Sequence, residues 1–416
     1  MSRRVVIIGA GAIGLSCAYY AIQRGDHVTL LERLGEHRDG CSFGNAGMVV
    51  PSHFVPLAAP GMIALGLRWM ANPESPFYIK PRWDRDLFAW AYRFWRACTP
   101  RHVSNAAPLL RDLSLMSRQC FVELEQRGLD FDLHQAGLLM LCRTQQGLDH
   151  ETVAAEHARQ LGLTAEVLDA KGLKAVEPDI AMSVVGGVRY PQDCHLTPQR
   201  YMAAMQAAVK AAGGHLHWNT DVHNWRHEAG KLVAVRTSQG DFEADEFVLC
   251  GGSWSPQIVD ALGLRLPMQA GKGYSLTLAQ PRQSPNSCAI LTEARIAVTP
   301  MSGQLRFGGT MELAGLDESI NRRRVQGIIR AVSLYYPQFE PCDFESVIPW
   351  SGLRPCSPDG LPYLGRSTRY GNLTIATGHA MMGISLAPIT GRLVAQLLSH
   401  ERPDIKLDPL SPDRFG

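Results

Sequence analysis

Short apolar runs alternate along this chain with longer amphipathic stretches, and their order predicts an α/β fold. Val5-Val6-Ile7-Ile8 is β-branched throughout, the pattern of a parallel strand buried on both faces. Residues 15–24 read as a helix, and 27–31 as a second strand that ends in Glu32. Residues 51–60 carry prolines and read as extended loop. A helix over 61–70 is broken by Asn72-Pro73-Glu74-Ser75-Pro76. Residues 84–98 are amphipathic and aromatic, with Leu87, Phe88, Trp90 and Trp95, and 105–127 read as a long helix. A strand over 137–142, a helix over 151–161 and a strand over 184–190 follow.

From residue 196 the style changes. Thr197 reads as the N-cap, and Pro198 as the first position, of a helix reaching about Ala212. A strand over 215–218 ends near Val222, and 232–245 form a small antiparallel meander around Gln239-Gly240. Residues 246–250 then run into Gly251-Gly252. Residues 274–278 alternate, 297–309 form a hairpin around Ser302-Gly303, and a helix after Asn321 ends before Pro337. The chain closes with a strand over 373–377, a loop over 378–383 and a helix over 384–399.

The spacing Gly9-Ala10-Gly11-Ala12-Ile13-Gly14, set between the first strand and helix, carries chemistry. Gly9 permits a tight turn, Gly11 lets the backbone approach a pyrophosphate, and Gly14 lets the helix pack on the strand. The helix N-terminus offers free N–H groups to phosphate. Glu32, followed by Arg33, can accept hydrogen bonds from the ribose of an ADP unit, and it would repel a 2′-phosphate. The competing reading is a glycine turn without a ligand.

Composition narrows the field. The 416 residues exceed one comfortable core, and 45% hydrophobic with 19% charged residues describe an ordinary folded protein. A net charge of +2 gives no footprint for nucleic acid. The ten cysteines show no metal-ligand spacing and read as buried thiols of a reducing, cytoplasmic compartment; no metal is expected. No signal peptide precedes the first strand, and no apolar run is long enough to span a bilayer.

Four motifs together resemble the flavin-dependent D-amino acid oxidase superfamily, most nearly its bacterial D-amino acid dehydrogenases, with glycine and sarcosine oxidases more distant. They are the Gly9 loop with Glu32; Cys41-Ser42-Phe43-Gly44-Asn45-Ala46-Gly47-Met48; Trp350-Ser351-Gly352-Leu353-Arg354-Pro355 with Ser357-Pro358-Asp359-Gly360-Leu361-Pro362; and Gly378-His379-Ala380-Met381-Met382-Gly383-Ile384. The resemblance implies a Rossmann-like FAD-binding domain, discontinuous over 1–60, 195–265 and 348–416, with a mixed α/β substrate domain over 61–194 and 266–347. It implies that Cys41, Ser42, Asn45, Ala46, Gly47 and Met48 lie beside the pyrophosphate and flavin. Val222 would contact adenine through its backbone. Gly251, Gly252 and Trp254 would sit near the pyrophosphate. Gly378, Met381, Met382, Gly383 and Ile384 would meet the isoalloxazine, with the following helix N-terminus toward its N1 and C2 carbonyl.

Arg354 is the expected anchor of the substrate carboxylate, since a guanidinium fork matches a carboxylate. Pro355 and Gly352 are read as fixing a tight turn around it. Tyr274 either donates to the same carboxylate or packs in the core. Met48 and His53 are expected near the flavin face. Met381 stands where glycine oxidase-like members carry arginine. Gly352 stands where sarcosine oxidase-like members carry a flavin-linking cysteine, so the FAD is expected to be non-covalent.

The reaction implied is oxidative deamination of a D-amino acid, cyclic ones such as D-proline or hydroxy-D-proline included, by hydride transfer from Cα to flavin N5. The electron acceptor is a quinone of a respiratory chain or oxygen. Three other readings stand beside it: a glycine or sarcosine-type oxidase, an FAD-binding subunit of a multisubunit amine dehydrogenase, and a plain NAD dehydrogenase. Finally, Lys80, Arg82, Arg85, Arg93 and Arg96 are interleaved with Trp83, Phe88, Trp90, Phe94 and Trp95. That pattern suits peripheral docking on the inner face of the cell membrane, or a helix that packs its aromatics on its own domain.

Overall fold

The computed structural model describes residues 2–70, 72 and 74–415. Pro73, central to the predicted helix break, lies outside the described residues. Among the described residues the strands form four sheets, two of which carry the architecture.

The first sheet runs Tyr363–Arg366, Leu373–Thr377, Glu246–Leu249, Arg4–Ile8, His27–Leu31, His215–His217. Its pairs are parallel except the outermost, where Tyr363–Arg366 runs antiparallel. The apolar strands sort by parity. Val5, Ile7, Val28, Leu30 and Val248 face a core shared with the helices Ala12–Gln23, Pro198–Ala211, Pro100–Gln126 and Ala387–Leu398. Val6, Ile8, Leu31, Phe247 and Leu249 face the meander, whose Trp225, Leu232 and Val235 cover them. Both faces are buried, which is why these strands carry no polar alternation.

The second sheet has nine strands, in the order Trp350–Cys356, Gln269–Leu278, Gln304–Leu313, Ile296–Met301, Cys288–Leu291, Leu138–Cys142, Gly186–Tyr190, Glu166–Asp169, with Phe77–Ile79 added beside Gln304–Leu313. The amphipathic helix Arg322–Tyr335 seals one face with Val325, Ile328, Ile329 and Val332. Its N-cap Asn321 accepts from the Arg323 N–H at 3.1 Å.

Several expectations are corrected. The long helix begins at Pro100, not 105, because the Thr99 hydroxyl caps it by accepting from His102 N at 3.1 Å. The helix expected from 151 begins at Gln145, capped by Thr144. Thr197 precedes its helix as expected, but its hydroxyl donates to Asp132 Oδ2 at 2.7 Å instead of capping. Val222 opens a strand, Val222–Glu228, where a strand was expected to end.

Trp350–Cys356 is a strand, not a tight turn. Pro355 fits there because the strand is the sheet's outer one, where no ladder hydrogen bond is lost on its free edge. By pairing, this strand belongs to the second sheet, so the chain returns to the first sheet only after Cys356. The last helix starts at Ala387, after a short turn over Ala380–Met382.

Candidate active site

The glycine loop closes on the neighbouring strand. Gly9 takes φ +101°, and a Cβ there would lie 2.5 Å from the Cys250 carbonyl oxygen. A Cβ on Gly14 would lie 1.8 Å from the Gly9 carbonyl oxygen, so only glycine lets helix and loop meet. A Cβ on Gly11 would meet only the Ser42 hydroxyl, at 3.4 Å. That position is open for a ligand to approach the backbone. The Ser42 hydroxyl accepts from Ala12 N at 3.0 Å, so the second motif is already seated on the first helix's N-terminus.

Glu32 is buried and accepts from Ala10 N at 2.8 Å and Leu34 N at 3.0 Å. The carboxylate thus organises the loop. Sequence reasoning missed Arg38. Its Nη2 donates to the Ala10 carbonyl at 2.6 Å, and its guanidinium lies 4.6 Å from the Trp218 ring centroid. Burial holds its pKa below the ordinary value. Arg33 stacks over Trp254 at 3.6 Å, bringing two other expected residues together. Val222 is buried at the edge of this end.

The remaining motifs converge further along. Asn45 Oδ1 accepts from Gly47 N at 2.8 Å, and its Nδ2 points at the Met381 carbonyl at 3.5 Å. Ser385, next to Ile384, accepts from Val50 N at 3.2 Å. His379 pairs with Cys356 in an isolated bridge, tying the last loop to the strand of Arg354. Its Nε2 lies 3.0 Å from the Thr390 hydroxyl, and burial pushes its pKa down to about 3, so the ring is neutral. The helix Ala387–Leu398 has no side-chain cap; the Leu386 and Ala387 N–H groups donate to the Met382 and Ile384 carbonyls, and Pro388 has none.

On the second sheet, cross-strand pairing sets Arg354 opposite Gly271, Gly352 opposite Gly273, Trp350 opposite Ser275, and Ser275 opposite Gly308. Directly paired residues share a face. Gly271, Gly273, Gly308 and Gly352 therefore make a floor without side chains, with Arg354 and Trp350 folded over it. A Cβ on Gly273 would lie 2.1 Å from Arg354 Nη2, so the guanidinium lies flat on that glycine.

Arg354 Nη1 donates to the Thr310 carbonyl at 2.6 Å. Thr310 takes φ +70°, beside a register shift of its strand, a β-bulge that aims this carbonyl at the guanidinium. Among the described residues no carboxylate lies within 4.0 Å of Arg354. Burial lowers its pKa, and its titratable neighbours are the thiols Cys41 and Cys356, which burial raises to about 11 and about 12. The arrangement is a half-buried cation with a vacant fork.

Tyr274 pairs with Ser351 and so lies on the opposite face from Arg354. There its hydroxyl donates to Glu312 Oε2 at 2.9 Å and accepts from Asn321 N at 3.2 Å, within a buried group that includes Lys272 and Arg324. It packs in the core beneath the helix Arg322–Tyr335. Met48 is buried and paired with His195 in a two-stranded ribbon. His53 hydrogen-bonds Ser52 at 3.2 Å, whose hydroxyl donates to buried Asp193. Burial drives His53 down to about 4, with Arg295 adding to the shift, and raises Asp193 to about 7. His53 is therefore neutral at pH 7, and none of its hydrogen bonds reaches Arg354.

The sequence pattern of the DAO family, FAD dependent oxidoreductases, matches residues 4–397. A protein of Granulibacter bethesdensis named D-amino acid dehydrogenase is 34% identical over 99% of this chain and 100% of its own length. One of the same name from Methylobacterium radiotolerans is 34% identical over 99% of each. Among solved structures, glycine oxidase from Geobacillus kaustophilus superposes with a TM-score of 0.79 at 24% identity over 99% of both chains. The L-proline dehydrogenase of P. horikoshii gives 0.74 at 18%, covering 100% of this chain and 98% of its own. These last two likenesses concern the fold. The residues present fit FAD: Gly252, with φ +54°, opens the turn Gly252–Trp254, Gly383 follows the turn Ala380–Met382, and a Cβ on either would meet nothing within 4 Å.

Proposed function

The chain belongs to the family of FAD-dependent oxidoreductases, and from that premise we propose that it oxidises D-amino acids to imines, which water converts to 2-oxo acids and ammonia. The observation that carries this reading is Arg354, a cation without a carboxylate partner over a glycine floor. Its full-length relatives named D-amino acid dehydrogenase support the substrate class. Bound FAD supplies the two-electron, hydride-accepting chemistry.

The Gly9 loop, Glu32 and Arg38 hold the adenosine and pyrophosphate end. Cys41–Met48 and Gly378–Ile384 hold the flavin end, without a covalent link. Arg354 binds the substrate carboxylate through the donors that Thr310 leaves vacant, and so orients Cα. The positive dipole end of Ala387–Leu398 would favour negative charge on the cofactor. The substrate amine must be neutral to expel hydride, and no side chain is assigned as its base.

An exposed aromatic face supports a membrane-borne acceptor. Leu87 and Trp90 are buried, and Phe94 stacks on Trp90 at 5.0 Å, but Trp83 is 97% exposed and Phe88, Tyr92, Trp95 and Leu67 are exposed with it. Arg82 turns inward, to Gln269 at 2.7 Å, while Lys80 stays exposed and pairs with Asp317 at 3.6 Å. Arg68, Arg85 and Arg96 remain exposed around the aromatics. Among the described residues no helix is long and apolar enough to cross a membrane. This face docks on the anionic inner surface of the cell membrane, where the electrons pass to quinone.

The test is a panel of D- and L-amino acids, cyclic ones included, assayed with a quinone analogue, an artificial dye and oxygen. Turnover of D-substrates with quinone or dye is expected. Exclusive turnover of L-substrates would overturn the reading. Rapid turnover with oxygen alone would overturn the acceptor.

A further inference from the structure

Arg306 and Trp350 make contacts that the proposed reaction does not use. Arg306 is 4% exposed and lies on the second sheet. Its Nη1 donates to two carbonyls of the cofactor segment, Phe43 at 2.9 Å and Asn45 at 2.7 Å, while Nε donates to Thr277 Oγ1 at 3.0 Å. Among the described residues no carboxylate lies within 4.0 Å of it, and burial lowers its pKa to about 10. Burying a cation is costly, and here two backbone carbonyls and a hydroxyl, with no carboxylate, offset that cost.

Trp350 grips the residue between them. A Cβ on Gly44 would lie 2.1 Å from the Trp350 ring, and one on Gly352 2.0 Å from it. The indole is therefore seated in a slot between the cofactor segment and the glycine floor. Its Nε1 also points at the Asp39 carbonyl, 3.4 Å away. Phe43, Gly44 and Asn45 are thus held in succession by carbonyl, Cα and carbonyl. Every grip comes from the sheet that carries Arg354.

We propose that Arg306 and Trp350 are positioning residues that fasten the Phe43–Asn45 peptide of the cofactor segment to the substrate sheet, so that cofactor position and the Arg354 carboxylate site are set by one rigid joint. This rests on the assignment of Cys41–Met48 to the cofactor. It extends that assignment, because it makes two residues of the substrate sheet determinants of FAD binding. Neither residue lies in the glycine loop or in the last loop.

The experiment is titration of apoprotein with FAD, together with iodide quenching of the bound flavin, in three variants. Gly44→Ala leaves both gripping side chains in place but fills the slot of the indole. Arg306→Met removes the two carbonyl contacts. Arg306→Lys keeps the charge and serves if the methionine variant does not fold. Circular dichroism of each apoprotein verifies the fold. FAD binding at least tenfold weaker, with faster iodide quenching, is expected for Gly44→Ala and for the Arg306 variant. Where activity is retained, the substrate KM rises more than kcat falls, because the joint also sets the carboxylate site. FAD affinity and quenching within twofold of the parent in both folded variants would overturn the joint. No substrate enters the titration, so failure of the D-amino acid reading leaves this result standing. A parent chain that binds no FAD would instead refute the cofactor assignment.

Discussion

Arg354 is the residue on which the proposed chemistry turns, and the fold leaves its charge uncompensated. Replacing it with leucine removes a charge-assisted pair to the substrate carboxylate. That loss is worth about 2–5 kcal/mol when desolvated, or about 30-fold to a few thousandfold in KM. Flavin content should be unchanged, and steady-state kinetics beside the flavin spectrum check both halves. Gly273→Ala keeps the charge but puts a methyl where the guanidinium lies, 2.1 Å from Nη2. It should raise KM in the same direction; parental kinetics in this variant would dissociate the guanidinium's position from substrate binding. Tyr274→Phe should behave differently. It strips a hydrogen bond from buried Glu312, at a cost of about 1–3 kcal/mol. The loss should appear in a urea melt, with KM unaltered. A raised KM would return Tyr274 to the site.

Among the elements, the joint of strand, loop and first helix tolerates least. Gly14→Ala drives a Cβ to 1.8 Å from the Gly9 carbonyl oxygen. The purified variant should be colourless or nearly so, measured as flavin per chain. A second element-scale effect involves pH. Asp193 joins the segment after Met48–Val49 to the strand Cys194–His195 through Ser52 N, at 3.2 Å, and the Ser52 hydroxyl. Burial raises its pKa from 3.8 to about 7, against the opposing pull of Ser52 and Arg118. Between these values the folded chain holds a proton that the unfolded chain releases, so this group's contribution to stability falls as pH rises from about 4 to about 7 and is flat above. Asp193→Asn removes the titration. The stability gap between variant and parent should shift in the variant's favour across that window, and a gap independent of pH would show that Asp193 is not protonated in the fold.

For the whole molecule, the exposed aromatics of the Arg85–Ala97 helix and its neighbours set the prediction. The net charge of +2 supplies no general attraction to an anionic bilayer, so binding must come from this face. Trp83→Ser with Trp95→Ser should abolish flotation with anionic vesicles while leaving dye-linked turnover in solution intact. A parent that never floats, at low or high salt, would remove the membrane from the picture. At this scale the sequence was legible in uneven measure. The aromatic-basic pattern was visible, but that Arg82 turns inward while Trp83 stands out depends on Gln269 and Leu313, both far away in the chain.

The glycine loop, Glu32, the strand parities and the family motifs were determined by the sequence alone, because each depends on sterics within a few residues or on one buried repeat. A Gly14 against the Gly9 carbonyl follows from local geometry and needs no distant partner, although the close approach of Gly9 to Cys250 does. The tertiary structure decided which face of Gln269–Leu278 meets the site. Both faces are buried, so apolar alternation cannot separate Gly273, under Arg354, from Tyr274, behind the sheet. It also decided that Trp350–Cys356 is an outer strand tolerant of Pro355, that Arg38 meets the glycine loop, and that Arg306 and Trp350 meet the Phe43–Asn45 segment. The Arg306 and Trp350 contacts join residues more than 250 positions apart. No local pattern encodes them, because their energy exists only once the two sheets have brought the cofactor segment between them.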